Sequence, residues 1–188
     1  MTHTTKYGMI PSRVRFTSII MELIQINKSR YRKRLNVVIV CCIIALTSGS
    51  LGIAQTLIAV FPDPDGSHFH WNLLGVIVTA LIIGGILGNI KQHPFMTEVV
   101  YVWELKQVLN KLTRKMATLK RAAQDGDINA MNAIQYSYAG SRLLWQLDDN
   151  TLVMDELSIA QAELDALAKH HNVTLDASSF QISHLKQY

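Results

Sequence analysis

Four carboxylates, Asp148, Asp149, Asp155 and Glu156, form the densest group of acid–base or metal-binding side chains in this 188-residue sequence. A divalent cation needs several such oxygens converging on one point with coordination positions left open. The spacing fits a plainer reading better, because acids near a helix start are favoured by its free N–H groups and dipole. A second group places His68 and His70 around Phe69, shortly after Asp63 and Asp65. By type these four make a transition-metal ligand set. A short turn between apolar runs needs polar, helix-breaking residues in any case, and an aromatic–histidine cluster suits a lipid headgroup zone. His170-His171 at a helix end reads as ordinary charge–dipole pairing. Cys41 and Cys42 are adjacent inside an apolar run, so they predict neither a disulfide framework nor a zinc cluster. No serine or cysteine has a recognisable base near it in sequence. The residue types therefore predict no catalytic set, no cofactor site and no metal site.

The elements that must carry these residues are dominated by two uncharged runs. Leu35 to Phe61 and Trp71 to Ile90 contain no Asp, Glu, Lys or Arg. As helices they would extend roughly 40 Å and 30 Å, against a hydrocarbon core of about 30 Å. Hydrophobic residues make up 49% of the chain and charged ones only 17%, which leaves too little polar protein to surround two such helices in a soluble core. Two membrane spans are predicted. A cleaved signal peptide is the rival for the first run, but its apolar part would be far shorter. Pro62-Asp63-Pro64-Asp65-Gly66 reads as a helix stop and a tight turn.

Orientation follows from the basic residues. Residues 1–34 carry eight Lys and Arg against Glu22 alone, and the turn between the runs carries none. Cytoplasmic flanks are the positive ones, so both termini are expected inside and the turn outside. Lys28, Arg30, Arg32, Lys33 and Arg34 set that topology and are candidates for contact with anionic lipid headgroups. Close helix packing is expected at small residues spaced by four: Ala45 and Gly49, Ser48 and Gly52, and Ala80, Gly84 and Gly88. Whether that packing joins the two spans or two copies of the chain is left open by spacing alone. Gln55, deep in the first run, is expected to hydrogen-bond a neighbouring helix.

Beyond His93-Pro94 the pattern is helical. Val102, Leu105, Leu109, Leu112, Met116, Leu119 and Ala123 recur at alternating three- and four-residue spacings. They predict a bundle helix with a basic outer face, or alternatively a self-associating coiled coil. Asp125-Gly126-Asp127 closes this helix and caps a second near Ile128 to Leu147, whose inward stripe includes Ile128, Met131, Ile134, Tyr138, Leu144 and Trp145. Asp148-Asp149-Asn150-Thr151 then caps a third, running to about Lys169 with Met154, Leu157, Leu164 and Leu167 inward. The tail from Asn172 shows no clear pattern. Residues 91–121 are net basic and 122–188 net acidic; a basic helix next to a membrane calls for no nucleic acid.

Several segments resemble a known family. Ile26-Asn27-Lys28-Ser29-Arg30-Tyr31-Arg32-Lys33-Arg34-Leu35-Asn36, Phe61-Pro62-Asp63-Pro64-Asp65-Gly66-Ser67, His93-Pro94-Phe95 and Trp103-Glu104-Leu105-Lys106 are similar to a bacterial membrane family, domain of unknown function 3087. Ser137-Tyr138-Ala139-Gly140-Ser141-Arg142 and Leu147-Asp148-Asp149-Asn150-Thr151 are similar too. The resemblance runs from about Met21 to Asp176. It implies a two-span protein of a Gram-negative inner membrane, and it brings no activity, cofactor or catalytic residue. It also implies translation from Met21, an expectation that mass spectrometry of the natural N-terminus checks; an abundant peptide from residues 2–13 excludes it.

The expected architecture is all-α: a basic arm (1–34), a first span (35–61), an outer loop (62–71), a second span (72–91), a cytoplasmic bundle of about three helices (92–171) and a tail (172–188). The expected function is a non-enzymatic scaffold or accessory subunit that presents this bundle. Its expected partners are the lipid bilayer and either a second copy or another membrane protein. The alternatives are a membrane-surface enzyme using Asp148, Asp149, Asp155 or Glu156, and a small oligomeric channel.

Overall fold

Lysine and arginine are good helix formers, and the basic run before the first apolar segment is itself helical. In the computed structural model, which describes residues 21–62, 66–150 and 154–188, helix α1 covers Lys28–Val60 and α2 covers Phe69–Ile90. After a short 3-10 turn at Pro94–Met96 come α3 (Thr97–Gln124), α4 (Ile128–Asp148) and α5 (Met154–His170). Two further 3-10 turns, Ala177–Ser179 and Ile182–Gln187, follow. The regular elements among the described residues are all helical. Asp63, Asp65, the Thr151 cap and residues 1–20 lie outside the described residues.

The chain divides into two units, residues 29–99 and residues 21–28 with 100–188. In the first, α1 and α2 are both long and apolar enough to cross a bilayer. They meet where side chains are smallest. A methyl group placed on Gly75 would stand 2.6 Å from the Ser50 carbonyl oxygen and 3.2 Å from Ala54 Cβ, and one on Gly49 would stand 2.6 Å from Thr79 Cγ2. Only glycine allows backbones this close. Phe61 stacks on Trp71 with ring centroids 5.7 Å apart where the hairpin turns. Away from the crossing the helices are bare: only 6% and 11% of their apolar windows are buried. Neither is buried within this chain as the core helix of a soluble fold would be.

The junction after α2 follows the expected chemistry. His93 Nδ1 accepts a hydrogen bond from the Phe95 backbone N–H at 3.2 Å, and Pro94 occupies the first position of the new turn. Proline loses nothing there, because that N–H has no partner in a helix start.

In the second unit the α3 stripe faces inward. Val102, Leu105, Leu109, Leu112, Leu119 and Ala123 are all buried, so the seam that a coiled coil would use is filled by the unit's own helices. Gly140 of α4 lets α3 approach; a Cβ there would touch Leu109 Cδ2 at 3.0 Å. Asp127 caps α4, accepting from Asn129 N at 2.8 Å and Ala130 N at 3.2 Å. Ile128, expected inward, is exposed, because it sits in the first turn, before the helix reaches its packing partners.

The tail is where structure and expectation diverge most. Asn172 takes the left-handed conformation with φ of 56°, and Val173 N–H donates to Ala168 O at 2.8 Å. This is a Schellman-type stop, and asparagine tolerates the positive φ. Asp176 then builds an Asx turn, accepting from both Ser178 N and Ser178 Oγ; those bonds to the ionised carboxylate hold its pKa below the ordinary aspartate value. Asp176 N–H in turn donates to buried Asn132 Oδ1 at 2.9 Å. The strap ends with Phe180 and Leu185 buried in the unit. Phe180 lies 4.6 Å from the Tyr136 ring.

Candidate functional site

Five basic residues before the apolar run were the leading headgroup candidates, and their environments differ. Arg34 is committed inside the first unit. Its guanidinium pairs with the Glu98 carboxylate, donates to Pro94 O at 3.1 Å and lies 5.3 Å from the centre of the Phe95 ring. Arg30 Nη1 approaches Glu98 Oε1 at 3.7 Å. Glu98 is only 6% exposed, so it meets these two arginines largely out of solvent. Together they clamp the start of α1 to the start of α3. Lys28 pairs with Asp149 in the second unit. Arg32 and Lys33 are exposed. The five residues therefore split between fixing the chain's own geometry and facing outward, a division that charge counting alone does not reveal.

The packing residues divide in the same way. Gly49 lies at the α1–α2 crossing, whereas Gly52, Gly84 and Gly88 have open space where a side chain would be, and Ala80 is exposed. Sequence reading missed Gly75, Ala54 and Thr79, which also build the crossing; the four-residue spacing of the small residues Gly75 and Thr79 was the available signal. Gln55 is exposed on α1 and has no hydrogen-bond partner among the described residues, so α2 is not the neighbour that was expected for it.

The carboxylates do not converge. Asp148 pairs with Lys106 at 3.2 Å, Asp149 with Lys28, and Asp155 and Glu156 sit in the first turn of α5. Among the described residues no three His, Cys, Asp or Glu side chains gather into a metal-sized group. Asp149 adopts a left-handed φ of 56° as the C-cap of α4, a position asparagine also accepts. Both ion pairs are solvent-exposed. Asp148→Asn with Asp149→Asn should therefore change stability by less than about 1 kcal/mol per site; a larger drop in thermal unfolding would reveal a role this geometry lacks.

Among the aromatics of the second unit, Tyr101 and Tyr136 belong to the core. Tyr101 Oη accepts from Ile24 N at 2.7 Å and donates to Glu22 O at 3.1 Å, anchoring the irregular segment before α1. Burial pushes both phenols above the ordinary tyrosine value. Trp103, by contrast, is 60% exposed, and Ile128 and Ile159 are exposed as well.

The strap closes on the cap of α4. Tyr188 Oη donates to Asp127 Oδ2 at 2.7 Å, and partial burial together with that carboxylate pushes the phenol up to about 12 from 10.0. A raised pKa in the folded state favours folding while the phenol is protonated. The contribution is complete below pH 10.0 and is lost as pH climbs towards 12. Tyr188→Phe should lack that alkaline step in a pH series of unfolding midpoints.

These features define an all-α protein with two span-length apolar helices and a helical unit closed by a C-terminal strap. The chain belongs to the family described as protein of unknown function, DUF3087, whose model matches residues 21–185. No curated protein and no solved structure matches the chain.

Proposed function

We propose that this chain is an integral membrane protein, with two spans and both termini in the cytoplasm, that acts as a non-enzymatic scaffold or accessory subunit. The bare aliphatic surface of α1 and α2 is the observation that carries the membrane part of the reading. Val40, Ile43, Ile44, Leu81 and Ile82 all face outward, and soluble monomers rarely expose contiguous apolar patches beyond a few hundred Å². Lipid covers such a surface at no hydrophobic cost. The basic residues before the apolar run and the absence of any in the turn support cytoplasmic termini in a bacterial inner membrane.

The scaffold part rests on the second unit. Its carboxylates are dispersed into caps and exposed ion pairs, while Trp103 and Ile159 present large apolar surface to a protein partner. Tryptophan is the residue type most enriched at binding hot spots.

Two measurements test the reading. Reporters fused to the two termini should both report the cytoplasm, and alkaline carbonate should leave the chain in the membrane; reporters in opposite compartments, or release by carbonate, would end the membrane reading. Purification in mild detergent should recover a stoichiometric partner that Trp103→Ala loses. Undiminished recovery by that variant would remove Trp103 from the interface.

A further inference from the structure

Within the two uncharged runs, each serine and threonine hydroxyl has an acceptor in its own helix. Thr47, Ser48, Thr56 and Thr79 donate to the carbonyl one turn back, at 2.7–2.8 Å, and Ser50 donates to Thr47 O at 3.2 Å. Gln55 is different. A primary amide carries two donors and an acceptor with two lone pairs, its side chain faces away from the crossing with α2, and it has no partner among the described residues. Five residues inside the helix end, it lies roughly 7–8 Å in from Val60.

The surroundings of Gln55 are equally particular. Cys41, Ala45, Ser48, Gly52, Gln55 and Ala59 follow one another at spacings of four and three and lie within roughly 80° of arc on α1. All six are exposed. Ser50 and Ala54, which meet α2, lie on the far side of the helix. Between Val37 and Val60 the other exposed positions of α1 are large aliphatics, among them Val40, Ile43, Ile44 and Leu51, except for Thr47 and Thr56. One strip of the bare surface is thus small enough for a second backbone to approach, and the unpaired amide lies in it.

We propose that α1 pairs in parallel with α1 of a second copy of this chain along the Cys41–Ala59 seam, with the two Gln55 amides hydrogen-bonded to each other. This rests on the membrane reading above. A second copy suits the seam because a carboxamide is self-complementary, donating and accepting at once. Two copies inserted the same way also bring each seam residue opposite its own counterpart. The alternating four- and three-residue spacing is that of a left-handed helix pair, the commonest crossing in membranes.

The test uses the full chain in native membranes and its own thiols. The seam places Cys41 opposite Cys41 of the second copy, while Cys42 lies off to one side. Under copper–phenanthroline oxidation the Cys42→Ser chain should form a disulfide-linked dimer. The Cys41→Ser chain should form about tenfold less, since thiols on displaced backbones cannot reach one another. In the Cys42→Ser background, Gln55→Ala should weaken dimerisation about five- to thirty-fold, the value of interhelical hydrogen bonds in lipid. Gly52→Leu should abolish it, while Gly84→Leu on α2 should leave it unchanged. Equal yields from the two cysteines, indifference to both Gln55 and Gly52, or sensitivity to Gly84 instead would overturn the proposal. A chain that resists carbonate yet stays monomeric overturns this inference alone; one released by carbonate overturns the membrane reading beneath it.

Discussion

Replacing Phe180 with alanine should destabilise the second unit by about 3–5 kcal/mol, the range for truncating a buried phenylalanine. The ring is 1% exposed and packs 4.6 Å from Tyr136 on α4, so its loss removes both apolar burial and an aromatic pair. It also frees the strap: residues 173–187 should exchange their amide hydrogens faster while α3 and α4 retain protection. Hydrogen exchange and thermal unfolding of the detergent-solubilised chain measure the two effects. A Phe180→Ala chain that melts within about 1 kcal/mol of wild type would mean that the strap is not part of the core. The neighbouring change makes a sharp contrast. The Tyr136 hydroxyl is buried and finds no partner among the described residues, and an unpaired buried hydroxyl costs about 1–3 kcal/mol. Tyr136→Phe should therefore be neutral or stabilising, although it removes a polar group from the same contact. A clear loss of stability would place a hydrogen-bonding group, such as a buried water, against that oxygen.

The second large effect is expected at Glu98. Glu98→Ala removes the carboxylate that Arg34 pairs with, and leaves a guanidinium with about a quarter of its side chain in contact with solvent. Breaking a fully buried ion pair from one side costs about 3–5 kcal/mol; with Arg34 partly hydrated, about 2–4 kcal/mol is expected. The mechanism makes a further demand. Arg34→Met, which removes the cation and keeps much of the stem, leaves Glu98 beside Arg30 at 3.7 Å and should cost less than Glu98→Ala. The double variant Glu98→Ala with Arg34→Met should recover part of the loss, because neither charge is then stranded. Simple additivity in unfolding measurements would show that the two residues act separately. The same pair makes the charge budget of the N-terminal basic run smaller than its composition indicates, so the exposed Lys33 is the better substitution for probing headgroup contact.

Much of the architecture was legible because it depends on properties local in sequence. Two uncharged runs of span length are read from composition alone, while His93-Pro94 as a restart and Asp127 as a cap act within one turn of helix and are found where their chemistry places them. The α3 stripe was legible as a face, but its partner was not: a three–four repeat fits its own bundle and a second copy equally well, and only the burial of Leu105, Leu112 and Leu119 inside the unit separates them. The strap escaped notice because its side chains follow no period. Phe180 and Leu185 are buried by irregular turns held by Asp176, Asn132 and Tyr188, and such contacts join residues dozens of positions apart.

By itself, then, the amino-acid order determined that this is a helical protein with two lengthy apolar segments, where α3 ends and α4 is capped, and which flank is basic, though not that α1 begins at Lys28 inside that flank. Periodicity, capping and charge are read over a few residues and need no knowledge of what lies opposite. Tertiary structure alone decided which small residues meet at the α1–α2 crossing, that Arg34 and Lys28 are committed to Glu98 and Asp149, that the carboxylates are kept apart, and that Gln55 faces away from its own hairpin. Those outcomes depend on how faces are rotated against one another. A helix turns about 100° with each residue, so the same composition becomes contact, ion pair or bare seam according to an angle that spacing alone does not set.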